Sequence, residues 1–260
     1  MLGLCAAAVT AGSMLEVYRF RVDAIRAPLA GLRAPLHVAW LCDLHYGPFI
    51  RAGSVAAWVD ATLELRPDAV LLGGDLVDVR SEEDITPLLE QLARLHAPLG
   101  VFAIWGNHDV LRFRHTRPTL EESLGRAGIT VLRNASVALR HDLHLMGLDD
   151  LRTGRPDLEV TLANRPSGVG TLLLSHNPDV LPNVPTSVGL TLAGHTHGGQ
   201  IRLPGIGPLV TSSRYGRRFA HGWVNGPARG YVSRGLGVSQ LPLRLNCPAE
   251  LTSLLLTPAG

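Results

Sequence analysis

Short apolar runs alternate along the chain with stretches of helical spacing, which predicts an α/β architecture. The first run, residues 36–41 (LHVAWL), leads directly into Cys42-Asp43-Leu44-His45, so polar chemistry begins where a strand stops. Residues 54–65 have apolar positions at helical spacing behind Ser54, an N-cap candidate, and Pro67 marks their end. A strand over residues 69–73 ends in Gly74-Asp75, and a helix is predicted within residues 81–96, where Leu88, Leu89, Leu92 and Leu95 share a face. Residues 101–105 read as a strand delivering a tight turn, Gly106-Asn107-His108-Asp109. A short helix over 118–125 follows, then strands over 130–132, 143–146, 172–174 and 190–192. Two of these end in histidine-bearing turns, Ser175-His176-Asn177-Pro178 and Gly194-His195-Thr196-His197-Gly198-Gly199. Residues 198–230 are dense in glycine, proline and arginine and predict a long functional loop with short strands. Residues 231–233 and 251–255 read as closing strands. With no repeat, heptad or linker, residues 16–260 are expected to form one domain.

Residues 1–15 are apolar or small and uncharged, yet shorter than the roughly 20 residues of a spanning helix and without the basic start of a secretory signal. Three readings stay open for them: a buried or frayed terminal element, the remnant of a longer membrane anchor, or an atypical signal.

Composition narrows the chemistry. With 46% hydrophobic and 18% charged residues, the chain is no disordered tail, collagen-like repeat or polytopic membrane protein. Its three cysteines, Cys5, Cys42 and Cys247, are far apart, which excludes a disulfide framework or a thiolate zinc site. Eleven histidines therefore leave imidazole and carboxylate to carry any metal chemistry. All 24 basic residues are arginine, which removes Schiff-base and P-loop lysine mechanisms. A net charge of +2 is too small and scattered to predict nucleic-acid binding.

Five polar clusters fall at strand ends, where α/β sheets commonly bind ligands. Asp43 and His45 have same-face spacing, as do His195 and His197. Asp75 follows two glycines that allow a sharp turn, Asn107 and His108 are presented together, and His176 ends another strand. Four imidazoles, two carboxylates and an amide oxygen suit zinc, manganese, iron or nickel better than calcium. Seven donors exceed the needs of one tetrahedral ion. Two ions about 3.5 to 4 Å apart, bridged by a carboxylate and a hydroxide, would use them all and lower the pKa of bound water from about 15.7 toward about 7. The residual charge of such a centre, about +1, favours an anionic phosphate ester over a neutral amide.

The order of these motifs is similar to that of the calcineurin-like metallophosphoesterases. The strings GHTHGGQIRLPGIG from Gly194 and RLNCPAELTSLLL from Arg244 more closely resemble the bacterial YkuE/YaeI-like branch, whose members are often attached to a membrane. The resemblance runs from about Glu16 to the C-terminus. It implies a four-layer α/β/β/α sandwich with a dinuclear site at one edge and two divalent transition-metal ions, manganese ahead of iron, zinc or nickel. Carried over by position, it places Asp43, His45, Asp75 and His197 on one ion and Asp75 as the bridge, Asn107, His176 and His195 on the other. His108 would stabilise charge or protonate the leaving alkoxide, and Asp109 would orient His108. Cys42 stands where relatives commonly have serine, which touches no ligand. The implied reaction is in-line attack of a metal-bound hydroxide on a phosphodiester or related ester. A lipid-linked pyrophosphate or phospholipid headgroup is the alternative substrate, with peripheral association to a membrane.

Blander roles are expected elsewhere. His37, His96, His141 and His144 read as structural or exposed, and His115 as a solvated loop residue ahead of a substrate contact. Asp78 is either a turn former or a partner behind a metal-binding imidazole. Arg214, Arg217, Arg218 and His221 contact a phosphate or headgroup, or form a simple basic patch. A non-catalytic metal-binding scaffold is the rival of another class, opposed by the intact His108 and ligand set. A nuclease would be expected to present a basic groove with stacking aromatics, which four Trp, four Tyr and five Phe at near-neutral charge do not favour.

Overall fold

A computed structural model describes residues 16–163 and 165–259. The apolar segment 1–15, with its three readings, lies outside the described residues. In chain order the first half contains β1 (Phe20–Leu29), β2 (Leu36–Leu41), α1 (Ala52–Glu64), β3 (Ala69–Leu72), α2 (Thr86–Leu92), β4 (Val101–Ala103), α3 (Asn107–Arg112), α4 (Arg117–Arg126) and β5 (Ile129–Val131). There follow β6 (Ala135–Arg140), β7 (Leu143–Gly147), α5 (Leu158–Ala163), β8 (Gly170–Leu174), β9 (Leu190–Ala193), the small hairpin β10 (Arg202–Leu203) and β11 (Gly207–Pro208), β12 (Gly222–Val224), β13 (Gly230–Val232) and β14 (Ala249–Pro258).

These strands make two six-stranded sheets, ordered β1-β14-β2-β3-β4-β5 and β12-β13-β9-β8-β7-β6. Strands β2 to β5 run parallel, as do β7, β8, β9 and β13, so the connections between them must cross over the sheet faces. The side-chain period of two then sorts each strand between two apolar layers. Leu36, Val38 and Trp40 of β2 and Leu71 of β3 point into the same cluster as Leu172 and Leu174 of β8 and Leu190 and Leu192 of β9. That cluster is the interface between the sheets. The intervening residues Ala39, Leu41, Val70 and Leu72 face outward into a second cluster with Val55, Val59, Leu88, Leu92, Leu120 and Leu124 of the helices. On the far side, Met146 and Leu173 pack with Leu162 of α5 and with Val180 of the 3-10 turn Pro178–Asn183. The layers are α/β/β/α, as expected. Burial on both faces is why the strands read as continuous apolar runs.

Several local details differ from the sequence reading. The first helix begins two residues before Ser54, with Arg51 as its N-cap and no side-chain capping bond. The Gly-Asn-His-Asp segment is the first turn of α3. The histidines outside the motifs are as expected: His144 lies buried on the outward face of β7, His37 bonds Ser253 between strands, and His115 and His141 are exposed.

Candidate metal centre

The parallel strands of both sheets end at one edge of the sandwich. β2 delivers Asp43 and His45, β3 delivers Asp75, β4 delivers Asn107 and His108, β8 delivers His176, and β9 delivers His195 and His197. Backbone bonds continue the strand ladders past the strands, Asp43 N–H to Gly74 O (3.0 Å), His45 N–H to Asp75 O (2.9 Å) and Gly194 N–H to His176 O (2.9 Å), which fixes the loops against one another. Close approach needs glycine here. A Cβ on Gly74, whose φ is +82°, would sit 2.4 Å from Gly106 N, and one on Gly106 would sit 2.2 Å from Asp75 N. The functional residues themselves are bent into the left-handed region: Asp43 (φ +55°), His45 (+49°), Asp75 (+51°), His195 (+70°) and His197 (+52°). Such conformations cost about 1 kcal/mol or more for a residue with a Cβ and concentrate where geometry serves a ligand.

All seven candidate ligands are brought together and all are buried. Asp43, His45 and His197 present one donor atom each within 4.8 Å of one another, and so do Asp75, His176 and His195. Between the triads, Asp75 Oδ2 lies 3.5 Å from His45 Nε2 and 3.3 Å from His176 Nε2. His45 Nε2 and His197 Nε2 approach to 2.9 Å, and His195 Nδ1 and His176 Nε2 to 3.2 Å. Asn107 Oδ1 is buried without a hydrogen-bond partner. An orphaned amide oxygen beside converging imidazole nitrogens and two carboxylates fits divalent transition metal on both triads.

Protonation agrees with that fit. Burial drives His45 down to about 3 against the opposing charge of Asp75. Burial, then His176, takes His195 to about 3, and His197 is also held well below its ordinary value by burial. These imidazoles offer lone pairs at neutral pH. His176 is the exception: burial opposes its charge, but Asp75 and then Asp43 outweigh it and raise the group to about 10. Its Nδ1 pairs with Gly73 O at 2.8 Å, which turns Nε2 toward the site. Burial raises Asp43 to about 6, whereas for Asp75 the neighbouring His176 overcomes burial and holds the carboxyl low.

His108 is placed beside these groups, its ring 4.5 Å edge-on from that of His45. Val79 N–H donates to its Nδ1 at 3.0 Å, leaving the ring proton on Nε2. Asp109 does not take the orienting place expected for it. Its Oδ1 accepts from Val77 N–H (3.1 Å) and its Oδ2 from Gly106 N–H (3.1 Å), because residue 109 is the third of a helix and its carboxylate turns back to cap it. The carboxylate near the imidazoles is that of Asp78, 3.8 Å from His45 Nδ1 and 3.9 Å from His108 Nδ1, and held by Arg80.

Two groups escaped the sequence reading. The loop after β7, Asp149-Asp150-Leu151-Arg152-Thr153-Gly154, carries Arg152, whose Nη1 lies 3.4 Å from His195 Nε2. It is another polar cluster at a strand end, the signal that flagged the other five. Arg244 is fully buried and donates to the carbonyls of Gly237 (3.2 and 2.6 Å), Cys247 (3.0 Å), Arg234 (2.9 Å) and Gly235 (3.0 Å). The loop it gathers reaches the metal-ligand strand end through Gly237 N–H to Asp43 O (2.7 Å) and Leu236 N–H to Cys42 O (3.0 Å). Cys247 Sγ bonds His197 O at 3.3 Å, so the C-terminal RLNC segment braces both Asp43 and His197 from behind.

The centre opens into a cleft of about 470 Å³, walled by Asn107, His108, Arg152, Thr153, His195 and Gln200. Its rim includes the exposed Leu111, Leu209, Val210 and Leu241. Among the described residues, no helix is long and apolar enough to cross a membrane.

The profile of the calcineurin-like phosphoesterase family matches residues 36–199. The chain is 34% identical over 220 residues to the metallophosphoesterase YkuE of Bacillus subtilis (strain 168), covering 81% of this chain and 75% of that protein. It is 34% identical over 228 residues to the phosphodiesterase YaeI of Escherichia coli (strain K12), covering 85% and 82%. Among solved structures, that of Haemophilus influenzae NAD nucleotidase shares the fold with a TM-score of 0.50 at 14% identity, over 78% of this chain and 46% of that one.

Proposed function

The chain belongs to the calcineurin-like phosphoesterase family and is a metal-dependent phosphoester hydrolase, and from that premise we propose that it hydrolyses phosphodiesters at a two-metal centre. The observation that carries the reading is the position of Asp75 Oδ2, within 3.5 Å of an imidazole nitrogen from each triad. Asp43, His45 and His197 would hold one ion and Asn107, His176 and His195 the other, with Asp75 placed to serve both. A pair of divalent ions, manganese foremost, supplies when bound a water-derived nucleophile at neutral pH and charge compensation for the phosphoryl group.

The chain's own residues do the rest. Asp75 fixes the spacing of the two triads, while Asn107 contributes a neutral oxygen that adds no negative charge to repel the substrate. His108, with Nδ1 occupied by the Val79 N–H, offers Nε2–H to an oxygen on which charge develops. That group can stabilise charge on the leaving oxygen or protonate it. The preference for diesters is supported by the similarity to the phosphodiesterase YaeI. The apolar rim of Leu111, Leu209, Val210 and Leu241 favours a second reading, in which the ester carries a lipid arm.

The test is Asp75→Asn on metal-stripped and reloaded protein. We expect it to lose metal and turnover together; unchanged metal content and turnover would refute the two-metal centre. A substrate panel of generic monoesters, generic diesters, cyclic nucleotides and lipid pyrophosphates separates the remaining choices. Preferential cleavage of monoesters contradicts the diesterase assignment, and an enzyme inert on every ester would return the scaffold reading.

A further inference from the structure

Arg152 stands on the cleft wall with its guanidinium beside His195 and, among the described residues, without a carboxylate in ion-pairing range. Its position is built, although the side chain is exposed. Asp150 Oδ2 accepts from Arg152 N–H (3.0 Å), Thr153 N–H (2.7 Å) and Thr153 Oγ1 (2.7 Å). Asp149 accepts from Asp150 N–H (2.9 Å) and Arg155 N–H (3.0 Å) and lies so close to Gly154 that a Cβ there would come within 2.7 Å of its Oδ1. Asp149 and the Oδ2 of Asp150 are thus engaged in holding the loop, while Asp150 Oδ1 is buried without a hydrogen-bond partner. The guanidinium is left facing the centre.

With divalent ions in the centre, a third positive group on the same wall is repelled unless an anion lies between them. A guanidinium also has a planar fork of N–H donors that matches two oxygens of a tetrahedral oxyanion. We infer that Arg152 binds the phosphoryl oxygens of the substrate directly and is a specificity-determining residue for the tetrahedral anion. The inference rests on the phosphoester-hydrolase reading. Thr153 accompanies it on the cleft wall, its hydroxyl donating to Asp150 Oδ2 and lying 3.5 Å from Asn107 O.

The experiment uses the full chain, manganese-loaded, as wild type, Arg152→Ala, Arg152→Lys and the control Arg155→Ala. Inorganic phosphate is titrated calorimetrically, metal content is measured, and turnover of a generic diester is followed with and without added guanidinium. Arg152→Ala is expected to bind phosphate at least about tenfold more weakly and to lose about 10²-fold in kcat/KM, the scale seen on removal of a transition-state donor. Its metal content should be unchanged, and guanidinium should restore part of its turnover. Arg152→Lys keeps the charge without the fork and should fall between, while Arg155→Ala should behave as wild type. Phosphate affinity of Arg152→Ala within twofold of wild type, or absence of guanidinium rescue, overturns the inference. Loss of metal from that variant does so too, since it would make Arg152 a support for His195. If wild type cleaves no ester, the functional reading fails on its own, and the phosphate titration still decides the role of Arg152.

Discussion

Replacing Arg244 with methionine tests how the C-terminal segment holds the centre together. The side chain is wholly buried and is a cation without a carboxylate partner among the described residues; burial lowers its pKa. Its bonds go to four backbone carbonyls, of which only that of Gly235 has another donor, Glu250 N–H at 3.0 Å. Methionine keeps most of the volume but leaves the carbonyls of Arg234, Gly237 and Cys247 unpaired. At about 1 to 1.5 kcal/mol for each buried acceptor that loses its donor, the loss is about 3 to 4.5 kcal/mol. Removing a buried charge returns part of this, because carbonyl dipoles do not fully replace its hydration. A net destabilisation of about 2 to 4 kcal/mol is expected, a large share of the 5 to 15 kcal/mol (roughly) of an ordinary domain. Urea unfolding of metal-free protein, followed by the fluorescence of the buried Trp40 and Trp105, measures it. Slack in the loop that grips Asp43 should also weaken the first metal more than the second. Arg244→Lys keeps the charge with fewer, differently arranged donors and should recover less than half of the loss. A methionine variant within about 1 kcal/mol of wild type, or full rescue by lysine, would refute the carbonyl count.

Other outcomes follow from the centre itself. His108→Asn should keep both metals and lose roughly 10²- to 10⁴-fold in turnover; full activity would remove its assigned role. Because His176 is raised to about 10, it is protonated in metal-free protein at pH 7, and metal binding must expel that proton. Calorimetric metal titrations in buffers of different ionisation enthalpy should therefore report a released proton, with affinity rising between pH 7 and 10; buffer-independent heats would contradict the assignment. The sign for folding is the reverse: the raised pKa stabilises the metal-free fold fully below about 6.5, and that contribution is lost as pH climbs through about 10.

The inner strands and the ligands were legible in the sequence for one reason. Strands buried on both faces are continuous apolar runs, and each ligand cluster stands where such a run stops. Strand β1 gave no such signal. It is an edge strand, largely exposed, and its pairing residues lie in β14 at the other end of the chain, from Phe20 with Ala249 to Leu29 with Pro258. No local pattern encodes a partner that distant. Strand β6 was hidden by its partial exposure, and Asp109 by its helix: spacing put it beside His108, but the third position of α3 turns its carboxylate back to the helix start. Arg244 looked like one arginine among 24, since a burial bonded to carbonyls leaves no mark on charge or periodicity.

The five left-handed residues at the strand ends set folding against function. Glycine would adopt those torsions without strain, so relaxing Asp43, His45, Asp75, His195 or His197 removes a donor as it eases the backbone. Heat tolerance selected on chelator-treated protein would thus reward inactive chains, whereas the same selection run with metal present would retain the donors, because bound ions stabilise only the chain that can still hold them.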